Sequence, residues 1–268
     1  MSLKLYYDLL SQPSRAVMLF LLGNKIPFER KEINLKYGDH QSEEFGRLNP
    51  FRKVPVIVDG NFPLTESVAI LRYLCREKQV RDHWYPRDSK LQAKVDEYLE
   101  WQHLDTRLNC STYFLNKFLI PAVTGKPPKP EKVAESLKHM ERTLNKIEDV
   151  WLAGDKPYLT GEQISIADLL AACEVEQTRM AGYDPGKVRP RLSAWLERVG
   201  KDLHPHYKEV HKILRKIQEK HKARLLRTGR SRFESRSGEL RVASVANALV
   251  VFSSTAEDGE IEVRISVG

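Results

Sequence analysis

Cysteine is scarce in this chain. Three in 268 residues, Cys75, Cys110 and Cys173, are too few and too scattered for a disulfide framework, and no CxxC pair or metal-ligand spacing occurs. This usage fits a reducing, intracellular setting in which each thiol packs as a small core residue within a helix. Long apolar runs are missing too. None reaches the roughly 18 residues of a membrane span, so no membrane partner is expected. The opening MSLKLYYDLL lacks the basic region, apolar stretch and cleavage site of a secretory leader, so the expected location is cytoplasmic. There is no internal repeat. Basic charge is absent, on balance, from most of the molecule. Residues 201–241 hold 13 Lys and Arg against 5 Asp and Glu, which accounts for the whole net charge of +8. A basic segment of that kind is a solvated helix face, and no nucleic-acid partner is expected.

What is present divides into two halves. LKLYY (3–7) alternates as a strand, 13–24 has helical spacing, and PFERKEINL (27–35) reads as a second strand. A short helix near 42–48 follows. KVPVIVDGNFPLTES (53–67) holds two short strands joined at Asp59-Gly60, and SVAILRYLCREK (67–78) is an amphipathic helix with Val68, Leu71, Leu74 and Cys75 on one face. After the polar, proline-interrupted QVRDHWYPRDSK the strand signals stop. Residues 91–123 carry one long helical pattern, GKPPKP breaks it, and helices follow at 131–154, 165–182, 190–203 and 207–226. The expected organisation is an α/β domain over 1–80 in the order βαβαββα, a linker at 81–88 and an all-α domain over 89–226. An atypical tail, 227–268, opens as a Ser/Arg/Gly-rich stretch expected to be disordered and carries a candidate hairpin at Asp258-Gly259.

Three places in the first half suit chemistry. Ser11 in LLSQPSRA sits where a strand hands over to a helix. There it is either a helix cap or a hydroxyl aimed at an anion or thiolate bound by the helix N-terminus. Pro55 in KVPVIV marks an edge, a first strand residue or a cis bond. A cis bond turns the backbone of Val54 outward, free to pair with an extended peptide. Glu66 and Ser67 in LTES open another helix, with Ser67 as the candidate cap. Two helix N-termini and one backbone edge suit a short anionic peptide carrying a thiol.

DLLSQPSRAV, NPFRKVPVIVDG, LTESVAILRYL, DEYLEWQH and ISIADLLA, in that order and spacing, resemble the theta class of cytosolic glutathione transferases over roughly residues 1–225. The resemblance implies a thioredoxin-like N-terminal domain, an all-helical C-terminal domain holding the electrophile pocket, and a homodimer. It implies glutathione as cosubstrate, no cofactor or metal, and small hydrophobic electrophiles (alkyl halides, epoxides, organic hydroperoxides) as partners. Position by position, Ser11 matches the catalytic serine, with Ser14 one turn away as its nearest rival and Tyr6 or Tyr7 as the tyrosine alternative used by other classes. Val54 would pair its backbone with the cysteinyl unit beside cis Pro55. Glu66 and Ser67 would hold the γ-glutamyl end, and His40 and Lys53 the glycine carboxylate. Arg107 would supply positive charge to the thiolate or the leaving group. Ser165 and Asp168 match a capping box that serves folding. An omega-type thiol transferase would need cysteine at position 11. The other alternative is a non-catalytic binding or dimerisation module with the same fold. The family's C-terminal segment covers its active site; here that region passes into the unfamiliar tail after about residue 226.

Overall fold

Leu3, Leu5 and Tyr7 alternate with Lys4 and Tyr6, and this period of two builds strand β1 (Leu3–Tyr7) with one buried face. The computed structural model describes residues 2–230, so the hairpin predicted at Asp258-Gly259 and the tail from 231 onward lie outside the described residues. β1 is flanked by β2 (Glu29–Glu32) and β3 (Val56–Asp59), with β4 (Phe62–Leu64) beyond β3. It pairs parallel to β2 and antiparallel to β3, and β3 pairs antiparallel to β4. The two edge strands are the charged ERKE and the proline-containing FPL, compositions that discourage further pairing. β2 is shorter than the predicted 27–35. After Ile33 the side chain of Asn34 accepts the Tyr37 N–H at 3.3 Å and turns the chain into a 3-10 helix. Gly60, at φ 65°, and Asn61 make the two-residue connection between β3 and β4.

Helices α1 (Gln12–Gly23), α2 (Glu43–Leu48) and α3 (Ser67–Glu77) complete the thioredoxin-like βαβαββα order. Helical spacing alone predicts one apolar face for α1, yet it is buried all round from Gln12 to Leu21. Helix α3 packs against it within the first half, and the helical half supplies α8 (Ile166–Gln177) and α10 (His206–Val210). The predicted long helix over 91–123 is a single path made of α4 (Ser89–Trp101), α5 (Leu108–Phe114) and α6 (Ile120–Thr124). Wider π-helical turns at His103–Arg107 and Leu115–Leu119 connect these pieces. α9 (Pro190–Asp202) stands where expected, whereas the helix predicted over 131–154 is α-helical only as α7 (Pro130–Lys146) and passes into a π-helical turn at Ile147–Trp151. The helix predicted at 207–226 divides near His211 into α10 and α11 (Lys212–Arg230). The first four residues of the stretch expected to be disordered, 227–230, are therefore helical.

One continuous core runs from Leu5 and Phe20 through Tyr98 and Ile147 to Leu169 and Trp195. Cys110 and Cys173 are inside it, whereas Cys75 is only partly buried against it. Desolvation pushes the thiols of Cys75 and Cys173 up to about 12, and that of Cys110 higher still, so none is a thiolate near neutrality. No helix among the described residues is long and apolar enough to cross a membrane.

His211 is fully buried at the end of α10, with Nδ1 2.9 Å from the Tyr207 carbonyl. Burial, with Arg15 and Arg215 nearby, holds its imidazole well below the ordinary 6.5. A base with a depressed folded-state value contributes stability that is complete above 6.5 and declines as acid forces the ring to charge. Thermal stability should therefore fall between about pH 7 and about pH 5, and His211→Gln should flatten that slope. Melting curves across this range check it; an unchanged slope in the variant would refute the assignment.

Candidate active site

The turn carrying Ser11 is pinned from Asp8. Its carboxylate accepts the N–H of Leu10 at 2.7 Å and of Leu35 at 2.9 Å, and its carbonyl accepts the N–H of Ser11 at 3.0 Å. Burial pushes the Asp8 carboxyl up, and the two backbone donors pull it back. Sequence reasoning passed over Asp8; the signal was an Asx turn three residues ahead of the helix cap.

Ser11 is buried, with extended backbone (φ −80°, ψ 125°), and caps α1 by accepting the Ser14 N–H at 3.4 Å. An oxygen that accepts a capping bond still carries its own proton. The two sequence readings, cap and donor to an anion, are thus compatible in one hydroxyl. The Ser14 hydroxyl is fully buried and has no hydrogen-bond partner among the described residues, and the same holds for the amide of Gln12. Tyr6 packs on Phe45, and the phenol of Tyr7 is pushed up by desolvation, which makes it a weak donor for this purpose.

Val54-Pro55 is cis. The β1–β3 ladder reaches only the Tyr6–Val56 pair, so the backbone of Val54 lies outside it. Asn49 Nδ2 donates to the Lys53 carbonyl at 2.7 Å, while the Lys53 ammonium has no carboxylate partner among the described residues. His40 lies in a 3-10 turn, Asp39–Gln41, and is 5% exposed. Burial lowers its pKa, and Nδ1 has no partner among the described residues.

At α3 the sequence expectation needs correcting. Glu66, not Ser67, occupies the cap position, and no side chain caps the helix. Ser67 is the first helical residue. The chain enters α3 through Glu66 at φ 62°, ψ 114°, a conformation that side-chain-bearing residues rarely adopt, and this leaves Ser67 no capping geometry. The result is an uncapped N-terminus next to a hydroxyl and an exposed carboxylate. Backbone strain of the kind Glu66 carries costs about 1–3 kcal/mol. Glu66→Gly and Glu66→Ala remove the same carboxylate, but only glycine relaxes the backbone. The glycine variant should be more stable than the alanine variant by about 1 kcal/mol, read from paired denaturant titrations.

Arg107, in the first π-helical turn, makes an ion pair with Glu174 of α8, whose side chain is 1% exposed. Desolvation raises the Glu174 carboxyl and the guanidinium lowers it. The resemblance assigns Arg107 to substrate; here its direct partner is this buried carboxylate. Sequence reasoning also missed the apolar wall beside Ser11. Leu10, the preceding residue, packs with a cluster of Phe114, Leu115, Leu119, Met180 and Leu214. Its members come from four separate segments, so no local pattern marks them.

Ser165 and Asp168 form a full capping box at α8. Asp168 accepts from Ser165 N–H at 2.9 Å and Ser165 Oγ at 3.0 Å, and also from Leu159 N–H and Trp195 Nε1, both at 2.9 Å.

A mixed four-stranded sheet with its helices, a cis proline ahead of β3 and an appended helical half define the architecture of a glutathione S-transferase. The family model for the glutathione S-transferase N-terminal domain matches residues 1–76, and that for the C-terminal domain matches residues 111–201. The chain is 44% identical to glutathione S-transferase theta-1 of Bos taurus over 223 residues, which span 82% of this chain and 91% of the bovine protein. Identity to theta-2 of Mus musculus is 44% over 199 residues, 74% of this chain and 81% of the mouse protein. Among solved structures, the apo form of human glutathione-S-transferase T1-1 superposes with a TM-score of 0.78 at 42% identity, over 81% of this chain and 91% of that one. Human theta-2 in complex with glutathione gives 0.77 at 41%, over 81% and 89%. The chain belongs to the theta class of the glutathione S-transferases.

Proposed function

We propose that this protein joins the thiolate of glutathione to small hydrophobic electrophiles, and that Ser11 holds the thiolate. The observation that carries the reading is the Ser11 hydroxyl at the N-terminus of α1, engaged as an acceptor and still able to donate. A free thiol with a pKa near ~8.5 is only about 3% ionised at neutral pH, and a shift of ~2 units requires about 2.7 kcal/mol. A hydrogen bond to a charged group supplies roughly 1.5–3 kcal/mol, and a helix N-terminus up to ~2 kcal/mol. The two together suffice, so glutathione enters as cosubstrate and no cofactor is needed.

In this reading the cysteinyl unit pairs with the Val54 backbone beside Pro55. The γ-glutamyl carboxylate sits at the uncapped α3 N-terminus with Ser67, its amine near Glu66. The glycine carboxylate meets Lys53 and neutral His40. Arg107 contributes charge from the edge of the cleft while tied to Glu174. The thiolate attacks carbon and expels halide, opens an epoxide, or attacks the outer peroxide oxygen of an organic hydroperoxide, which breaks the O–O bond, releases the alcohol and leaves a glutathione sulfenic acid that a second glutathione converts to the disulfide and water. Support for glutathione comes from the theta-class relatives, one solved with glutathione and another, a human theta-class structure, with the glutathione conjugate of 1-menaphthyl sulfate. A cytoplasmic homodimer is part of the proposal, and exposed Phe51, Phe62, Leu91 and Leu104 offer apolar surface for it.

Turnover with glutathione on an alkyl halide, an epoxide, an activated aryl halide and an organic hydroperoxide tests the reading. Activity on the first two above the aryl halide is the expected pattern. Glutathione binding without turnover on any of them would indicate a non-catalytic binding module instead.

A further inference from the structure

Arg15 is fully buried inside α1, and no carboxylate pairs with it among the described residues. Oxygen acceptors surround it instead. Nη1 donates to the carbonyls of Leu9 at 2.8 Å and Leu10 at 3.3 Å, the two residues before Ser11. Nη2 donates to the Cys173 carbonyl at 3.1 Å and to Gln177 Oε1 at 2.7 Å, both on α8. Its own backbone N–H donates to the Ser11 carbonyl at 3.1 Å. One side chain therefore ties the turn before Ser11 to the central helix of the other half.

Burying a guanidinium without a counter-ion is an expensive way to join two helices, because hydrophobic side chains of similar volume would do so at lower cost. Its planar fork has a property those side chains lack, since it fixes several acceptors at once and carries a permanent charge. The groups facing it are Asp8 in the Ser11 turn, Cys173 and Glu174 on α8, and Tyr207 and His211 on and beside α10. Burial keeps His211 neutral and the Cys173 thiol and Tyr207 phenol protonated; Asp8 and Glu174 are the carboxyls within its field.

We infer that Arg15 is a positioning residue for the transfer reaction, holding the Leu9–Ser11 turn so that the Ser11 hydroxyl meets the sulfur of glutathione. The inference rests on the Ser11 reading above. A misplacement of about 1 Å at such a site costs about 10²-fold in rate. Lysine keeps the charge, but one nitrogen cannot span both pairs of acceptors. Arg15→Lys thus separates geometry from charge, and Gln177→Leu loosens the same fork from the α8 side without touching α1.

The experiment compares Arg15→Lys, Gln177→Leu and Ser11→Ala with the parent enzyme. It measures kcat and KM for glutathione, the pH profile of kcat/KM, and the ultraviolet absorbance of the bound thiolate. Arg15→Lys should lose about 10- to 100-fold in kcat with KM for glutathione changed by less than about threefold, and thiolate formation should move to higher pH. Gln177→Leu should move the same readouts in the same direction, by less. If both variants melt earlier but keep the parental profile and kcat per folded enzyme, Arg15 is only a structural clamp and the inference fails while the Ser11 reading stands. If Ser11→Ala retains full turnover, the Ser11 reading fails and the positioning role falls with it.

Discussion

Ser11→Ala should lower turnover by about 10- to 100-fold while leaving glutathione affinity close to that of the parent. The factor follows from removing one hydrogen bond to a charged sulfur, roughly 1.5–3 kcal/mol, at about 1.4 kcal/mol per decade. Affinity persists because the groups proposed to hold the tripeptide, Val54, Glu66, Ser67, His40 and Lys53, lie on other segments. Loss of the cap complicates the result in a measurable way. Alanine at an N-cap costs about 1 kcal/mol, so the variant should also melt slightly earlier. The two effects separate in the pH profile. A merely destabilised enzyme keeps its profile, whereas loss of the donor moves thiolate formation upward in pH. Ser11→Thr retains the hydroxyl and should recover part of the activity. Parental turnover in Ser11→Ala would remove Ser11 from the mechanism and return attention to Ser14, whose hydroxyl is fully buried one turn further along α1.

The largest stability effect should come from Asp168→Ala. This carboxylate collects Leu159 N–H, Ser165 N–H, Ser165 Oγ and Trp195 Nε1, so it ties the loop before α8, the α8 cap and helix α9 to one point. Truncation strands three buried N–H donors. Each unsatisfied group costs about 1–3 kcal/mol, so a loss of about 3–5 kcal/mol is expected. For a chain of this size that is a fall of about 6–20 °C in Tm. Asp168→Asn keeps an acceptor oxygen and should lose less. Thermal unfolding of the two variants checks the order. If the alanine variant melts within about 2 °C of the parent, the network is not the anchor described here.

Much of the architecture was legible because each element has a local cause. The period of two in LKLYY, the Asp59-Gly60 turn, the Gly125 break and the Ser165–Asp168 box all act within a few residues. Where reading failed locally, a neighbour had intervened. Asn34 ended β2 early, and the helical pattern over 91–123 acquired two π-helical turns that periodicity does not encode.

The site divides in the same way. Ser11, Pro55, Glu66 and Ser67 stood out because helix starts and strand-entry prolines leave a signature in the chain. Alone, the sequence determined the order of elements and marked the candidate site residues at helix starts and at a strand-entry proline, since capping and turn chemistry are short-range. Only the tertiary structure decided that Glu66 takes the strained cap position and that Arg107 faces Glu174. It alone showed α1 buried on every side and Arg15 holding the Ser11 turn against α8. Those outcomes depend on residues up to 162 positions apart in the chain, as for Arg15 and Gln177, brought together by burial of a shared core that no local pattern records.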